Sequence, residues 1–284
     1  MRSITSIGLP DDSGVLMLGA DGRMGRMLRL HWPAGGALRG QSRRAVPDLL
    51  QFDPLTQKSA LEQASEGVSV VICLAGVTPA HARDTGDAMS LNTDLALAAI
   101  SAAPAGARVL VVSSAAVYGA AEGPQFEAGV ARPVSEYGHA KLTMERAALE
   151  AGQGRVSVLR IGNVAGADAI LGGWRAGMMI DRLPDGSTPR RSYIGPRSLA
   201  HVMHKLCWAP VLPDIVNVAA PGVVAMGDLL DAAGLEWSAR APQGSVIPEV
   251  ALDTKALEAL YDFQPAECTA CGMVEQWKNG ALLA

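Results

Sequence analysis

The run Val109-Leu110-Val111-Val112 constrains this chain more than any other four residues. A strand with one wet face alternates polar and apolar side chains. This run does not, and it reads as a strand buried on both faces. Burial on both faces calls for helices on each side, the arrangement of a parallel sheet joined by helical crossovers. Val15-Leu16-Met17-Leu18, Val68-Ser69-Val70-Val71-Ile72-Cys73 and Val156-Ser157-Val158-Leu159-Arg160-Ile161 have the same character, and Ile215-Val216-Asn217-Val218 adds a late strand. Helix formers fill much of the intervening chain: an alanine- and leucine-rich stretch from Asp87 to Ala103, Leu142 to Glu150, Leu199 to Trp208, and Met226 to Ala233. The expected fold is α/β, a doubly wound, mostly parallel sheet with helices on both faces.

The central run ends on Ser113-Ser114-Ala115-Ala116-Val117-Tyr118-Gly119, so two hydroxyls sit where a strand gives way to a loop. After a loop punctuated by Gly and Pro comes Tyr137-Gly138-His139-Ala140-Lys141, followed by the helix that closes at Gly152-Gln153-Gly154. Residues four apart on a helix share a face, which sets the Tyr137 phenol beside the Lys141 ammonium. A free tyrosine, with a pKa of about 10, is a poor base at neutral pH. A neighbouring cation and the positive end of a helix both favour its phenolate. A serine from the strand end can then hold a substrate oxygen while the tyrosine gives or takes its proton. Further upstream, the first strand runs into Gly19-Ala20-Asp21-Gly22-Arg23-Met24-Gly25 and then a helical Arg26-Met27-Leu28-Arg29-Leu30. Small residues there let backbone approach a pyrophosphate, and the helix N-terminus attracts its charge.

Together these motifs resemble the extended short-chain dehydrogenases/reductases, the group that includes NAD(P)-dependent nucleotide-sugar epimerases and dehydratases. The serine four residues before the Tyr of V-Y-G is Ser114 rather than Ser113, and Y-x-x-x-K matches Tyr137 and Lys141. The resemblance implies a Rossmann sheet, with Tyr137 as general acid/base, Lys141 as its tuner and ribose contact, and Ser114 as donor to the substrate oxygen. The spacing G-x-x-G-x-x-G implies cofactor contacts at Gly19, Gly22, Arg23, Met24 and Gly25. Asp53, in Gln51-Phe52-Asp53-Pro54, matches an aspartate that meets the adenine. Leu74-Ala75-Gly76 resembles the small-residue segment on the nicotinamide side, and Asn92 matches an asparagine that supports the active site. Arg160-Ile161-Gly162-Asn163-Val164-Ala165-Gly166 resembles R-x-x-N-x-x-G, which makes Asn163 a substrate contact, although Ala167 stands where Pro is frequent. Arg191-Ser192-Tyr193-Ile194 resembles R-D-Y-I with Ser192 in place of Asp, and Leu252 to Leu257 resembles a short C-terminal helix.

The second strand is expected near Ala37-Leu38-Arg39. An NAD-specific site usually has an acid after it for the ribose hydroxyls. Here the chain offers Arg39, Ser42, Arg43 and Arg44. Guanidinium groups suit a 2′-phosphate, so NADP is expected ahead of NAD, with Arg39 and Arg43 as phosphate contacts. The alternative is a solvated basic turn.

With 49% hydrophobic and 18% charged residues in 284, a sizeable core is expected and disorder is not. The net charge of -4 argues against a nucleic-acid partner. No apolar run reaches membrane length, and the polar residues up to Ser13 show no leader pattern, so a cytoplasmic location is expected. Cys73 and Cys207 fall in apolar runs and read as core. Cys268-Thr269-Ala270-Cys271 has the spacing of a zinc half-site or a redox pair, but no second Cys/His pair and no thioredoxin-like strand context accompany it, so chance spacing and no metal are expected.

Past Gly166 the motifs blur. Gly172-Gly173-Trp174-Arg175 and Pro184-Asp185-Gly186 mark a segment that covers the substrate. Arg175, Arg182, Arg190 and Arg191 either meet an anionic substrate such as a sugar diphosphate or are solvated surface charges. The expected division is a dinucleotide-binding part, 1–163, and a small substrate lobe, 164–284, interleaved with the last core strands. The expected function is NAD(P)-dependent hydride transfer at a hydroxyl or carbonyl carbon of a small molecule. An epimerase/dehydratase that recycles its cofactor is the alternative, although Ala115 replaces the acid that dehydratases commonly carry after the Ser/Thr. A non-catalytic dinucleotide sensor is a third reading, disfavoured because Ser114, Tyr137 and Lys141 are all present. A homodimer has weak support.

Overall fold

The computed structural model describes residues 14–281 except 36, 121, 243 and 245. The polar stretch up to Ser13, and with it the expected lack of a leader, lies outside the described residues. In chain order the first half contains β1 (Gly14–Leu18), α1 (Arg23–His31), β2 (Leu38–Ser42), β3 (Leu49–Gln51), α2 (Lys58–Ser65), β4 (Val68–Cys73), α3 (Pro79–Thr85), α4 (Leu91–Ala102), β5 (Arg108–Ser114), β6 (Pro124–Gln125) and α5 (Glu136–Gly152). Then come β7 (Val156–Ile161), β8 (Asn163–Val164), β9 (Met179–Asp181), β10 (Arg190–Arg191), β11 (Tyr193–Ile194), α6 (Pro196–Trp208), β12 (Ile215–Val218) and β13 (Val224–Ala225). The chain finishes with α7 (Met226–Ala233), β14 (Ser238–Arg240), β15 (Glu249–Leu252), α8 (Lys255–Glu258) and α9 (Ala270–Ala281).

Seven parallel strands form the main sheet in the order β12-β7-β5-β4-β1-β2-β3. From β1 the chain first builds outward through β2 and β3, then returns to β4 on the other side. This reversal is where open α/β sheets form their ligand crevice. Alternate residues of each strand feed two apolar layers, as a period of two requires. Val15, Met17, Val70 and Ile72 pack with Leu28 of α1 and Leu199, Met203 and Leu206 of α6. Leu16, Leu18, Val71 and Cys73 pack with Leu61 of α2, Ala96 and Ala99 of α4, and Met144 and Ala148 of α5. Each fully buried Val, Leu or Ile contributes about 1.5–3 kcal/mol relative to exposure.

A third core joins Leu171, Ile180, Tyr193, Leu229, Leu230, Met273 and Val274. A four-stranded sheet, β13-β10-β15-β6, combines three late strands with β6, which precedes α5 in sequence. Among the described residues no helix is long and apolar enough to cross a membrane.

Four expectations about elements change. β2 runs through Ser42 instead of stopping near Arg39, because Gly40, Gln41 and Ser42 are all buried and paired to β1 or β3. The helix expected over Asp87–Ala103 is shorter, α4 running only from Leu91 to Ala102, and the separate α3 before it stops at Gly86, which adopts a left-handed φ of 77°. Leu252 ends strand β15, and only Lys255–Glu258 of the expected short helix is helical. The twelve residues of α9 were not foreseen.

Candidate active site

Three glycines shape the mouth of the crevice through lack of space. Gly19 has φ +80°, and a Cβ there would lie 2.7 Å from the Ala75 nitrogen. A Cβ on Gly25 would lie 2.6 Å from the Gly19 oxygen and 2.7 Å from Ala20. Gly22 caps α1 without a side-chain bond, so the first-turn N–H groups have no cap acceptor and stay available to an anion. The resulting cleft, about 400 Å³, is walled by Gly19, Gly22, Ser42, Arg43, Asp53 and the Leu74-Ala75-Gly76 segment, with other groups around them. This cradle fits the phosphates and ribose of a nicotinamide dinucleotide: backbone donors at its head and a guanidinium at the β2 end.

Several expected contacts belong elsewhere. Arg39 sits at the far end of β2 from the cleft, and its guanidinium donates to the Ala64 and Glu66 carbonyls, both at 3.0 Å, closing the end of α2. It is a structural residue, not a phosphate contact. The Arg23 side chain donates to the Ala167 carbonyl at 3.0 Å, and Met24 packs on the core, so neither side chain lines the cleft. Asn92 is 1% exposed. Its carboxamide accepts from Val77 N–H at 3.2 Å and donates to the Val77 and Met89 carbonyls, which fixes the Gly76–Val77 backbone without leaving a group for the cofactor.

Other cleft residues escaped the sequence reading. Buried Gln41 accepts from Gly19 N–H at 3.0 Å and donates to the Phe52 carbonyl, tying the glycine turn to the Asp53 loop. Its one signal was a polar amide inside a strand. Asp21 accepts from Arg44 (Nε at 3.0 Å) and from the Arg26 guanidinium, so Arg44 is already partnered. His81 and Asp87 pair at 2.8 Å across the cleft wall, and that contact, helped by Arg43, holds the Asp87 carboxyl below its ordinary range.

The strand-end hydroxyl and the helical pair do converge. Ser135 caps α5 by accepting from Gly138 N–H at 3.1 Å. Gly138 lets the helix start press on the turn after β5, since a Cβ there would lie 2.5 Å from the Ala116 carbonyl oxygen. The Tyr137 phenol thereby meets the Ser114 hydroxyl, which also accepts from Ala116 N–H at 3.2 Å. Lys141 is buried, donates to the Val112 carbonyl at 2.9 Å and lies 5.9 Å from the Tyr137 ring centre. Gly76 links this trio to the cleft: a Cβ there would lie 3.4 Å from Lys141 Nζ and 2.6 Å from the Asn92 amide oxygen.

Burial pushes the Lys141 ammonium down to about 8. Burial raises the Tyr137 phenol, with the Ser114 bond acting in the opposite direction. This reverses the expected phenolate: the loss of water outweighs a cation held off by its own bond to Val112. The phenol is therefore a proton donor at neutral pH.

Ser113 has a different place. Its hydroxyl donates to Glu145 at 2.5 Å, and Glu145 forms a buried ion pair with Arg160 at 2.7 Å. Arg160 also donates to the Tyr118 phenol at 3.0 Å, which in turn donates to Asn217 at 2.7 Å.

Past β7, Asn163 pairs in register with Tyr193 and bonds its phenol, while that phenol donates to Asp168 at 2.9 Å. Arg191 is partly buried in β10, Arg190 pairs with Glu249 at 2.8 Å, and Arg175 is exposed. None of Asn163, Arg175 and Arg191 lines the dinucleotide cleft. Cys73 and Cys207 are buried, and the Cys268 and Cys271 thiols are free. Among the described residues no group of three or more His, Cys, Asp or Glu is placed to hold a metal.

No curated protein sequence shows significant similarity to the chain. Solved structures share its fold. A short-chain dehydrogenase/reductase superfamily protein from Agrobacterium tumefaciens with bound NAD matches with TM-score 0.73 and 19% identity, over 95% of this chain and 97% of that one. The UDP-glucose 4-epimerase of Thermus thermophilus in complex with NAD matches with TM-score 0.72 and 18% identity, over 93% and 98%. An NAD-dependent NDP-hexosamine 5,6-dehydratase involved in tunicamycin biosynthesis matches with TM-score 0.73 and 19% identity, over 94% and 98%. The family model for the NAD-dependent epimerase/dehydratase family matches residues 15–203, which takes in the glycine turn, Ser114, Tyr137 and Lys141. The chain thus belongs to the NAD-dependent epimerase/dehydratase family, a family of enzymes.

Proposed function

We propose that this enzyme reduces a carbonyl, or oxidises the matching hydroxyl, on a modest-sized substrate, with NADP as the preferred dinucleotide. The observation that carries the reading is the convergence of Ser114, Tyr137 and Lys141 beside Gly76 on the cleft wall. The dinucleotide supplies or accepts the hydride. Ser114 donates a hydrogen bond to the substrate oxygen and positions it. Tyr137, protonated at neutral pH, gives that oxygen its proton in the reducing direction and takes it back in the other. Lys141, cationic below about 8, favours the phenolate left behind and holds the ribose. Arg43 is the cleft guanidinium suited to a 2′-phosphate, now that Arg39 is engaged with α2 and Arg44 with Asp21.

NADPH should protect against thermal unfolding more than NADH at equal concentration, and Arg43→Glu should remove most of the difference. Stronger protection by NADH overturns the assignment. Tyr137→Phe should lower turnover about 10²-fold or more while dinucleotide still binds. Near-normal turnover removes Tyr137 from the chemistry.

The second reading, a nucleotide-sugar epimerase or dehydratase, is favoured by the solved proteins that share the fold. An epimerase keeps its cofactor through each cycle, whereas a reductase releases it. Protein purified without added dinucleotide decides between them. A retained chromophore with nucleotide-sugar isomerisation and no net NADPH consumption establishes the second reading, and carbonyl-dependent NADPH oxidation the first. A homodimer, for which the sequence gives only weak grounds, is tested by sedimentation of the same preparation.

A further inference from the structure

On the outer side of α1 lies another cavity, about 430 Å³, that shares no lining residue with the dinucleotide cleft. Its floor is Met27, Leu30, Pro196 and Trp277, and its basic groups are Arg23, Arg26, Arg29 and His31. Among the described residues no Asp or Glu lines it. Arg23, Arg26, Met27 and Leu30 are spaced i, i+3, i+4 and i+7, so one helical face carries both the apolar floor and part of the basic rim. The walls come from α1, from Pro196 at the start of α6, and from Trp277 and Gly280 in α9. Gly280 keeps the cavity open at one end, since a Cβ there would already stand 3.0 Å from His31 Nε2.

That Nε2 is the second observation. It is buried and has no hydrogen-bond partner among the described residues, although buried polar atoms nearly always have one. Burial, with Arg197 and His201 nearby, keeps the imidazole below its ordinary pKa, hence neutral and able to donate or accept. Two of the guanidiniums are only partly engaged. Arg23 donates once, to Ala167, and Arg26 donates through one nitrogen to Asp21, out of five N–H groups each. An apolar floor ringed by unspent donors and without acids does not suit a sugar or a cation. It suits a molecule with a greasy body and an anionic head.

We propose that this cavity binds a small amphipathic anion, its apolar body on Met27, Leu30, Pro196 and Trp277 and its carboxylate-like head among Arg26, Arg29 and His31. The cavity holds roughly fourteen water volumes at about 30 Å³ each, the scale of a ten-carbon acid or a fused aromatic sulfonate. The site is independent of the dinucleotide and of the reaction assigned to the cleft.

The test uses the full chain saturated with NADPH, which occupies the cleft, and 8-anilinonaphthalene-1-sulfonate as the fluorescent probe. Saturable binding with blue-shifted emission is expected. Decanoate should displace the probe, whereas decan-1-ol at the same concentration should not. Leu30 is 37% exposed, so Leu30→Glu places a like charge at the floor without touching the core. That variant and Arg29→Ala should each weaken probe binding by about fivefold or more, with unfolding midpoint and NADPH binding unchanged. If Leu30→Glu fails to fold, Arg29→Ala and the decanoate–decanol contrast remain decisive. Release of the probe by NADPH, equal displacement by decanol, or undiminished affinity in the folded variants overturns the proposal.

Discussion

Replacing Glu145 by Gln changes one atom and breaks the charge balance of a site that water does not reach. The Arg160 and Glu145 side chains are 4% and 2% exposed. Arg160 Nε donates to both carboxylate oxygens at 3.1 and 3.2 Å, its terminal nitrogen donates at 2.7 Å, and Ser113 adds a fourth bond at 2.5 Å. A glutamine keeps one accepting oxygen and turns an NH2 towards the guanidinium, donor against donor. Removing one partner of a buried pair costs about 3–5 kcal/mol, a large share of the roughly 5–15 kcal/mol that stabilises a domain. Urea unfolding followed by circular dichroism at pH 7 should show the midpoint falling by about 1–2 M with little change in slope, for an m-value of about 2–3 kcal/mol/M. Adding Arg160→Met should recover part of the loss, because the stranded guanidinium goes too. Glu145 also supports the charge of Lys141, so in the Gln variant the lysine should titrate below about 8 and the alkaline limb of the rate profile should move to lower pH. A loss under about 1 kcal/mol, the value of an exposed pair, would refute the reasoning.

Arg108 donates to the carbonyls of Leu206, Cys207 and Ala209 at 2.6–2.9 Å, so Arg108→Met should cost about 3 kcal/mol in thermal unfolding while NADPH affinity is kept. Gly25→Ala drives a methyl into Gly19 and Ala20, and titration should show dinucleotide affinity reduced by about tenfold or more, that is at least about 1.4 kcal/mol. Burial, together with His201 and with Arg197 or Lys205, lowers the pKa of His31 and of His204 below 6.5. The unfolded chain then takes up protons first as pH falls. Stability should be complete above about 6.5 and decline below it towards the folded-state values. Urea midpoints measured from pH 7.5 to 5 should show this slope, and His31→Gln should flatten it; a flat wild-type profile would rule the histidines out.

Where the sequence was legible, a single physical demand spoke through adjacent residues. Val109–Val112 and Val68–Cys73 need two dry faces, and both lie in the centre of the sheet. Ser114, Tyr137 and Lys141 are separated along the chain but each sits at a strand end or helix start, so their convergence followed from topology. Arg39 failed because the length of β2 depends on Gln41, whose amide is satisfied only by Gly19 and Phe52, contacts that no local pattern encodes. For Asn92, whether the amide faces a ligand or its own backbone depends on Val77 and Met89. The Tyr137 titration was misjudged because sequence spacing shows the neighbouring cation and not the loss of water. α9 went unread because its first turn, Ala270-Cys271, drew attention to thiol spacing instead of helix periodicity.

The place of β12 has a consequence for how the chain is made. This edge strand pairs with β7 but is separated from it in the chain by β8 to β11 and by α6. While a ribosome is still adding residues 162 to 214, the outer edge of β7 has no partner, and Arg108 has no α6 carbonyls to bind. An unpaired edge at that stage invites pairing with another nascent chain. The remedy arrives late, with Ile215–Val218, and until then the nascent protein depends on whatever else shields that edge.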